Sequence, residues 1–125
     1  MEQLPPQLQH QLAQFQQLQQ QAEAIATQRL QMELQLKEVT RALEEVQKLG
    51  EDAEVYKSVG NLLIKSEKGS VEAELKDRKE TLELRINTLK RQEEKVTSRL
   101  KELQAKIQDA IRSRATRAPG AGGAG

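Results

Sequence analysis

The 125 residues are one domain's worth of chain, yet only 36% are apolar and 2% aromatic, namely Phe15 and Tyr56. Aromatic rings supply much of a globular core's buried area, so a thick core is excluded. Twenty basic and 19 acidic residues nearly cancel, which argues against a dedicated nucleic-acid or membrane-surface binder, and the lack of cysteine excludes disulfides, thiolate metal sites and cysteine nucleophiles.

No apolar run approaches the roughly 20 residues of a membrane span. The opening Met1-Glu2-Gln3-Leu4-Pro5-Pro6 has neither a basic nor an apolar region of a secretory signal. The expectation is a cytoplasmic protein. Abundant Leu, Glu, Lys, Gln, Arg and Ala point to long helices.

The first element is a helix over about 7–49, a stretch without Gly or Pro past Pro6. Phe15, Leu18, Ala22, Ile25, Met32, Leu36, Val39, Leu43 and Val46 alternate at spacings of three and four, broken only by Arg29. Leu4 and Leu8 share the register, with Leu12 just off it. This is a coiled-coil seam. Pro6 suits a first helical turn, and Gly50 suits a left-handed C-cap.

The second element is a β-hairpin over about 54–66. Val55-Tyr56-Lys57-Ser58-Val59 and Leu62-Leu63-Ile64-Lys65-Ser66 are β-prone runs around Gly60-Asn61, a type II′ turn signal. The register puts Val59 opposite Leu62 and Lys57 opposite Ile64. A lone hairpin is marginal in water and leaves open strand edges. Hairpins of other subunits are the economical cover, so the middle segment is expected to oligomerise.

The third element is a helix over about 70–112, with Ser70 as N-cap. Leu75, Leu82, Leu89, Val96, Leu103 and Ala110 repeat every seven residues, and Ile86, Leu100 and Ile107 fill the companion row, broken by Lys79 and Glu93. Each helix has about 43 residues and spans roughly 65 Å. The expected fold is therefore mainly α: a long antiparallel two-helix coiled coil with a short β-hairpin between the helices, a single domain over 1–112. Residues 113–125, rich in Gly, Ala and Arg, read as a disordered tail. The antiparallel register sets Leu36 against Ile86 and Arg29 against Glu93. That charged pair either specifies the register or snorkels to solvent.

Catalysis finds no support. The single histidine, His10, lies in a polar stretch, and the carboxylates alternate with Lys and Arg as on a solvated helix face. No phosphate-binding Gly loop, metal-ligand cluster or cofactor motif occurs, so the protein reads as no enzyme. Arg112, Arg114 and Arg117 are too few for more than weak, salt-sensitive nucleic-acid contact.

Between Gln3 and Ala22 the chain carries no charge besides a possible one on His10, and glutamines surround Leu8, Leu12, Phe15 and Leu18. Glutamine donates and accepts hydrogen bonds without a desolvated charge. Such a surface fits a promiscuous binder of unfolded chain, or equally a polar helix end whose leucines close the seam. The antiparallel arrangement gathers Leu4, Leu8, Leu12 and Phe15 with Leu103, Ile107, Ala110 and Ile111 at one distal tip. Helix ends open most easily, and several tips could grip one client with avidity.

The sequence resembles archaeal prefoldin beta subunits, members of the prefoldin family of co-chaperones. The resemblance rests on Leu4-Pro5-Pro6, on the run from Gln11 to Gln21, and on Glu51 to Lys57 continuing through Val59-Gly60-Asn61-Leu62-Leu63-Ile64-Lys65. Arg78 to Arg85 and Arg91 to Glu94 add to it, so that it covers residues 3 to 110. It implies a hexamer of two alpha and four beta subunits, hairpins joined into a β-barrel, and ATP-independent capture of unfolded polypeptides at the tips. It also implies delivery to a group II chaperonin. The barrel contacts it implies are Val55, Tyr56, Val59, Leu62, Leu63 and Ile64. The rival expectation is a structural coiled-coil scaffold that oligomerises through its hairpin and joins fixed partners.

Overall fold

The computed structural model describes residues 4–124, with side chains over 4–115. Helix α1 (Pro6–Gln47), strands β1 (Val55–Val59) and β2 (Leu62–Ser66) and helix α2 (Lys68–Ala124) follow in order. The fold is mainly α, two long helices with a short antiparallel hairpin between them. The chain divides into two compact units. The terminal unit holds residues 1–26 and 91–125, and the central unit holds 27–90.

The heptads decide which side chains are covered. On α1 every third or fourth residue from Leu8 to Val46 is buried or half-buried, and on α2 the same holds from Leu75 to Arg114. The seam takes in its polar members: Gln11, Arg29, Lys79, Glu93 and Arg114 are all half-buried. Arg29 donates through Nη1 to Glu33 Oε2, 3.1 Å away one turn along α1. Its long stem covers apolar seam while its head reaches a carboxylate.

The central unit has the denser core. Val39, Leu43, Leu82, Ile86 and Leu89 are buried there, together with Val55 of the hairpin. Each such side chain stabilises the fold by about 1.5–3 kcal/mol. Among the described residues of the terminal unit, only Leu8, Val96 and Ile107 are buried, while Phe15, Leu18, Ala22, Ile25, Leu100, Leu103 and Ala110 are half-buried.

Pro6 opens α1, where its missing N–H costs nothing. The other ends differ from expectation. Gly50 is not left-handed; Gly60 is the only residue with positive φ among those described. Instead α1 tightens at its end, with the Leu49 N–H on the Val46 carbonyl at 3.1 Å, and a turn follows in which the Ala53 N–H meets the Gly50 carbonyl. Lys68 Nζ, at the start of α2, donates to the Leu49 carbonyl at 2.8 Å, filling an acceptor that a helix end leaves open. A side chain from the next helix thus replaces the glycine cap. Ser70 is not the N-cap either: α2 begins at Lys68, and the Glu67 carbonyl already accepts the Val71 N–H. At the other end α2 passes the stop expected near 112 and carries its backbone to Ala124. The expected disordered tail lies mostly outside the residues with described side chains.

Candidate functional site

The hairpin pairs Val55 with Ser66, Tyr56 with Lys65, Lys57 with Ile64, Ser58 with Leu63 and Val59 with Leu62. This is the register that the two-residue turn dictates. Gly60 takes φ +59° while Asn61 keeps a negative φ, as a type II′ turn requires. Strand alternation puts Val55, Lys57, Val59, Leu62 and Ile64 on one face, and Tyr56, Ser58, Leu63 and Lys65 on the other.

The face with Val55 is anchored at its base. Val55 is 8% exposed, and Lys57 Nζ lies 2.7 Å from Glu74 Oε2 on α2. Beyond this anchor the apolar side chains are only partly covered. Tyr56, Val59, Leu62, Leu63 and Ile64 are all exposed, Leu63 to 73%. Of the six expected assembly residues, five present themselves outward and Val55 packs into its own unit. The Tyr56 hydroxyl donates to Glu54 Oε2 at 3.1 Å, and Lys65 Nζ lies 3.9 Å from Glu54 Oε1. These contacts leave Leu63 uncovered. The sheet has two strands, so each has one unpaired edge.

The eight expected tip residues all belong to the terminal unit. The structure sorts them by accessibility. Leu8 and Ile107 are buried, at 3% and 7%, and Phe15, Leu103 and Ala110 are half-buried. Leu4, Leu12 and Ile111 are exposed. Leu12 directly follows seam residue Gln11, and Ile111 directly follows Ala110. Such positions flank the seam and stay wet. Gln9 Nε2 donates to the Leu4 carbonyl at 2.8 Å and steadies the start of α1. His10 is exposed.

The flank of the same unit carries a groove that the hydrophobic pattern does not announce. Gln14, Gln17, Leu18 and Gln21 of α1 line it with Arg99, Glu102, Leu103 and Lys106 of α2. The central unit exposes Leu30 and Leu34 on α1 and Leu84 on α2. They lie off both seams, and their only signal in the sequence is that they are leucines out of phase.

Among the described residues no His, Asp and Glu groups gather closely enough to hold a metal ion, and no helix is long and apolar enough to cross a membrane. The arrangement offers surfaces rather than reacting groups.

Comparison with known proteins agrees with this arrangement. A sequence profile of the family described as prefoldin subunit matches residues 9–114. The prefoldin subunit beta of Methanosarcina acetivorans is 53% identical over 108 residues, covering 86% of this chain and 92% of that protein. The prefoldin subunit beta of Archaeoglobus fulgidus is 51% identical over 111 residues, covering 89% and 96%. The crystal structure of the prefoldin beta subunit from Thermococcus strain KS-1 superposes with a TM-score of 0.82 at 46% identity, covering 90% of this chain and 98% of that one.

Proposed function

The chain belongs to the prefoldin family of non-enzymatic co-chaperones, and from that premise we propose that it is the beta-type subunit of an ATP-independent holdase. Residues 1–112 act as its prefoldin-like domain. Four copies join two alpha subunits through their hairpins, which close into a shared β-barrel. Tyr56, Val59, Leu62, Leu63 and Ile64 supply the contacts, with Val55 bracing the strand from within. The terminal units remain free to hold unfolded polypeptides and pass them to a group II chaperonin in the cytoplasm.

The observation that supports this reading most is the uneven covering of the terminal unit. Leu4, Leu12 and Ile111 are already presented to solvent, while Leu8 and Ile107 of the same unit are buried. Regions with few buried apolar contacts open at low cost. The tip therefore offers some apolar surface at rest and more when the helix ends part. No bond is made or broken in such binding, so neither nucleotide nor cofactor enters.

The test uses the full assembly and several unrelated denatured proteins. Deleting residues 1–12 removes three tip leucines and uncovers the opposing α2 residues. Loss of aggregation suppression with the hexamer retained is the expected result. Equal protection by the shortened protein would refute capture at the tip. A scaffold for fixed partners would protect none of the denatured proteins, even at full length.

A further inference from the structure

In the central unit cations and carboxylates pair both along α1 and α2 and between elements. The pairs Arg29–Glu33, Lys48–Glu45, Lys57–Glu74, Lys65–Glu54 and Lys68–Glu72 all lie within residues 27–90. In the terminal unit, α2 carries Lys95, Arg99, Lys101, Lys106 and Arg112, and none of these has an ionic partner among the described residues. The facing stretch of α1 cannot supply one, because no Asp or Glu occurs between residues 4 and 22.

The flank groove is where these cations meet the glutamines. Leu18 and Leu103, both half-buried seam residues, form its floor. One wall is Gln14, Gln17 and Gln21, and the other bears exposed Arg99, Glu102 and Lys106. From Gln14 to Gln21 the wall rises about 10 Å at 1.5 Å per residue. That is the length of about three residues of extended chain at roughly 3.3 Å each. Glutamine amides both donate and accept, so they can meet peptide N–H and C=O groups of any sequence. On the wall opposite them Arg99 and Lys106 outnumber the one carboxylate, Glu102, so that wall carries a net positive charge.

We propose that this groove is a binding site for an extended, acidic segment of an unfolded polypeptide, its backbone on the glutamine wall and its carboxylates on Arg99 and Lys106. The proposal rests on the chain's reading as a binder of unfolded protein and gives that binding a charge preference. Exposed ion pairs are individually weak, so two of them are worth about a 3- to 10-fold preference at low salt. The preference fades as salt screens it.

The experiment measures fluorescence anisotropy of labelled, unstructured peptides of about 20 residues on the full assembly. The peptides share their apolar residues and carry Glu, Gln or Lys at the polar positions. The wild-type protein is expected to bind the Glu peptide about 3- to 10-fold tighter than the Gln peptide in about 0.05 M salt, with the gap closing in about 0.5 M salt. Arg99→Gln with Lys106→Gln should erase the gap between the Glu and Gln peptides. Arg99→Glu with Lys106→Glu should turn the preference toward the Lys peptide. All four changes are on exposed side chains, so folding is preserved. Binding independent of peptide charge, or a preference that survives the double change, overturns the acidic-segment site while leaving client capture intact. Failure to bind any of the peptides overturns client capture itself, and the groove with it. A single-stranded oligonucleotide that binds the groove tighter than the Glu peptide, and is lost in the double variant, overturns the proposal in favour of a nucleic-acid site.

Discussion

Replacing Val59 and Leu62 with aspartate is the sharpest probe of the hairpin. The two residues face each other across the ladder, and they are 47% and 66% exposed. Covering what remains exposed on both stabilises an interface by roughly 2 kcal/mol. The variant loses that and places two like charges opposite one another, which costs up to about 1 kcal/mol. Burying the carboxylates adds several kcal/mol more. A total of about 5 kcal/mol or above weakens each contact by more than about a thousandfold. Sedimentation velocity with the partner subunit at micromolar concentration should show dissociated chains. The helical signal in circular dichroism should persist, because Leu82, Ile86 and Leu89 lie away from the substitutions. Val59→Thr with Leu62→Thr keeps the β propensity without the charge, and should weaken assembly only partially. A hexamer that survives the aspartates unchanged would refute assembly through this face.

Three further outcomes are expected. Ile86→Ala empties a packed seam position and should lower stability by about 2–5 kcal/mol in thermal or urea unfolding, whereas Leu84→Ala, two residues away and exposed, should stay within about 0.5 kcal/mol. Gly60→Ala forces a side chain into left-handed geometry at φ +59° and should destabilise the hairpin by about 1 kcal/mol, read as weaker assembly in a dilution series. Leu12→Gln with Ile111→Gln removes exposed apolar surface and should reduce aggregation suppression with the melting temperature unchanged; full suppression would count against the tip.

The elements and both seams were legible because the heptad is a long-range pattern that many residues repeat. A single Arg29 or Lys79 cannot erase it; both take seam positions despite their charge. The hairpin was legible for a different reason: Gly60-Asn61 fixes turn type and register together. Helix ends were not, since they depend on single contacts made from elsewhere in the chain. Nothing near Gly50 says that Lys68 will reach the Leu49 carbonyl. The antiparallel arrangement led to a set of expected tip residues but said nothing of how exposed each one is. Leu8 and Leu12 differ by one turn and by the whole width of the seam, so one is buried and the other wet. The Gln, Arg and Lys groove escaped notice because its walls come from two helices, each of which alone looks like ordinary polar exterior.

The hairpin's two free edges belong to different strands, β1 and β2. Contact between β1 of one copy and β2 of the next is head-to-tail, and such a series ends only by closing on itself or by meeting a subunit that completes the circle. Until then every added copy exposes another raw edge. A series built in this way grows without limit unless it closes, so closure is what would make such an assembly finite.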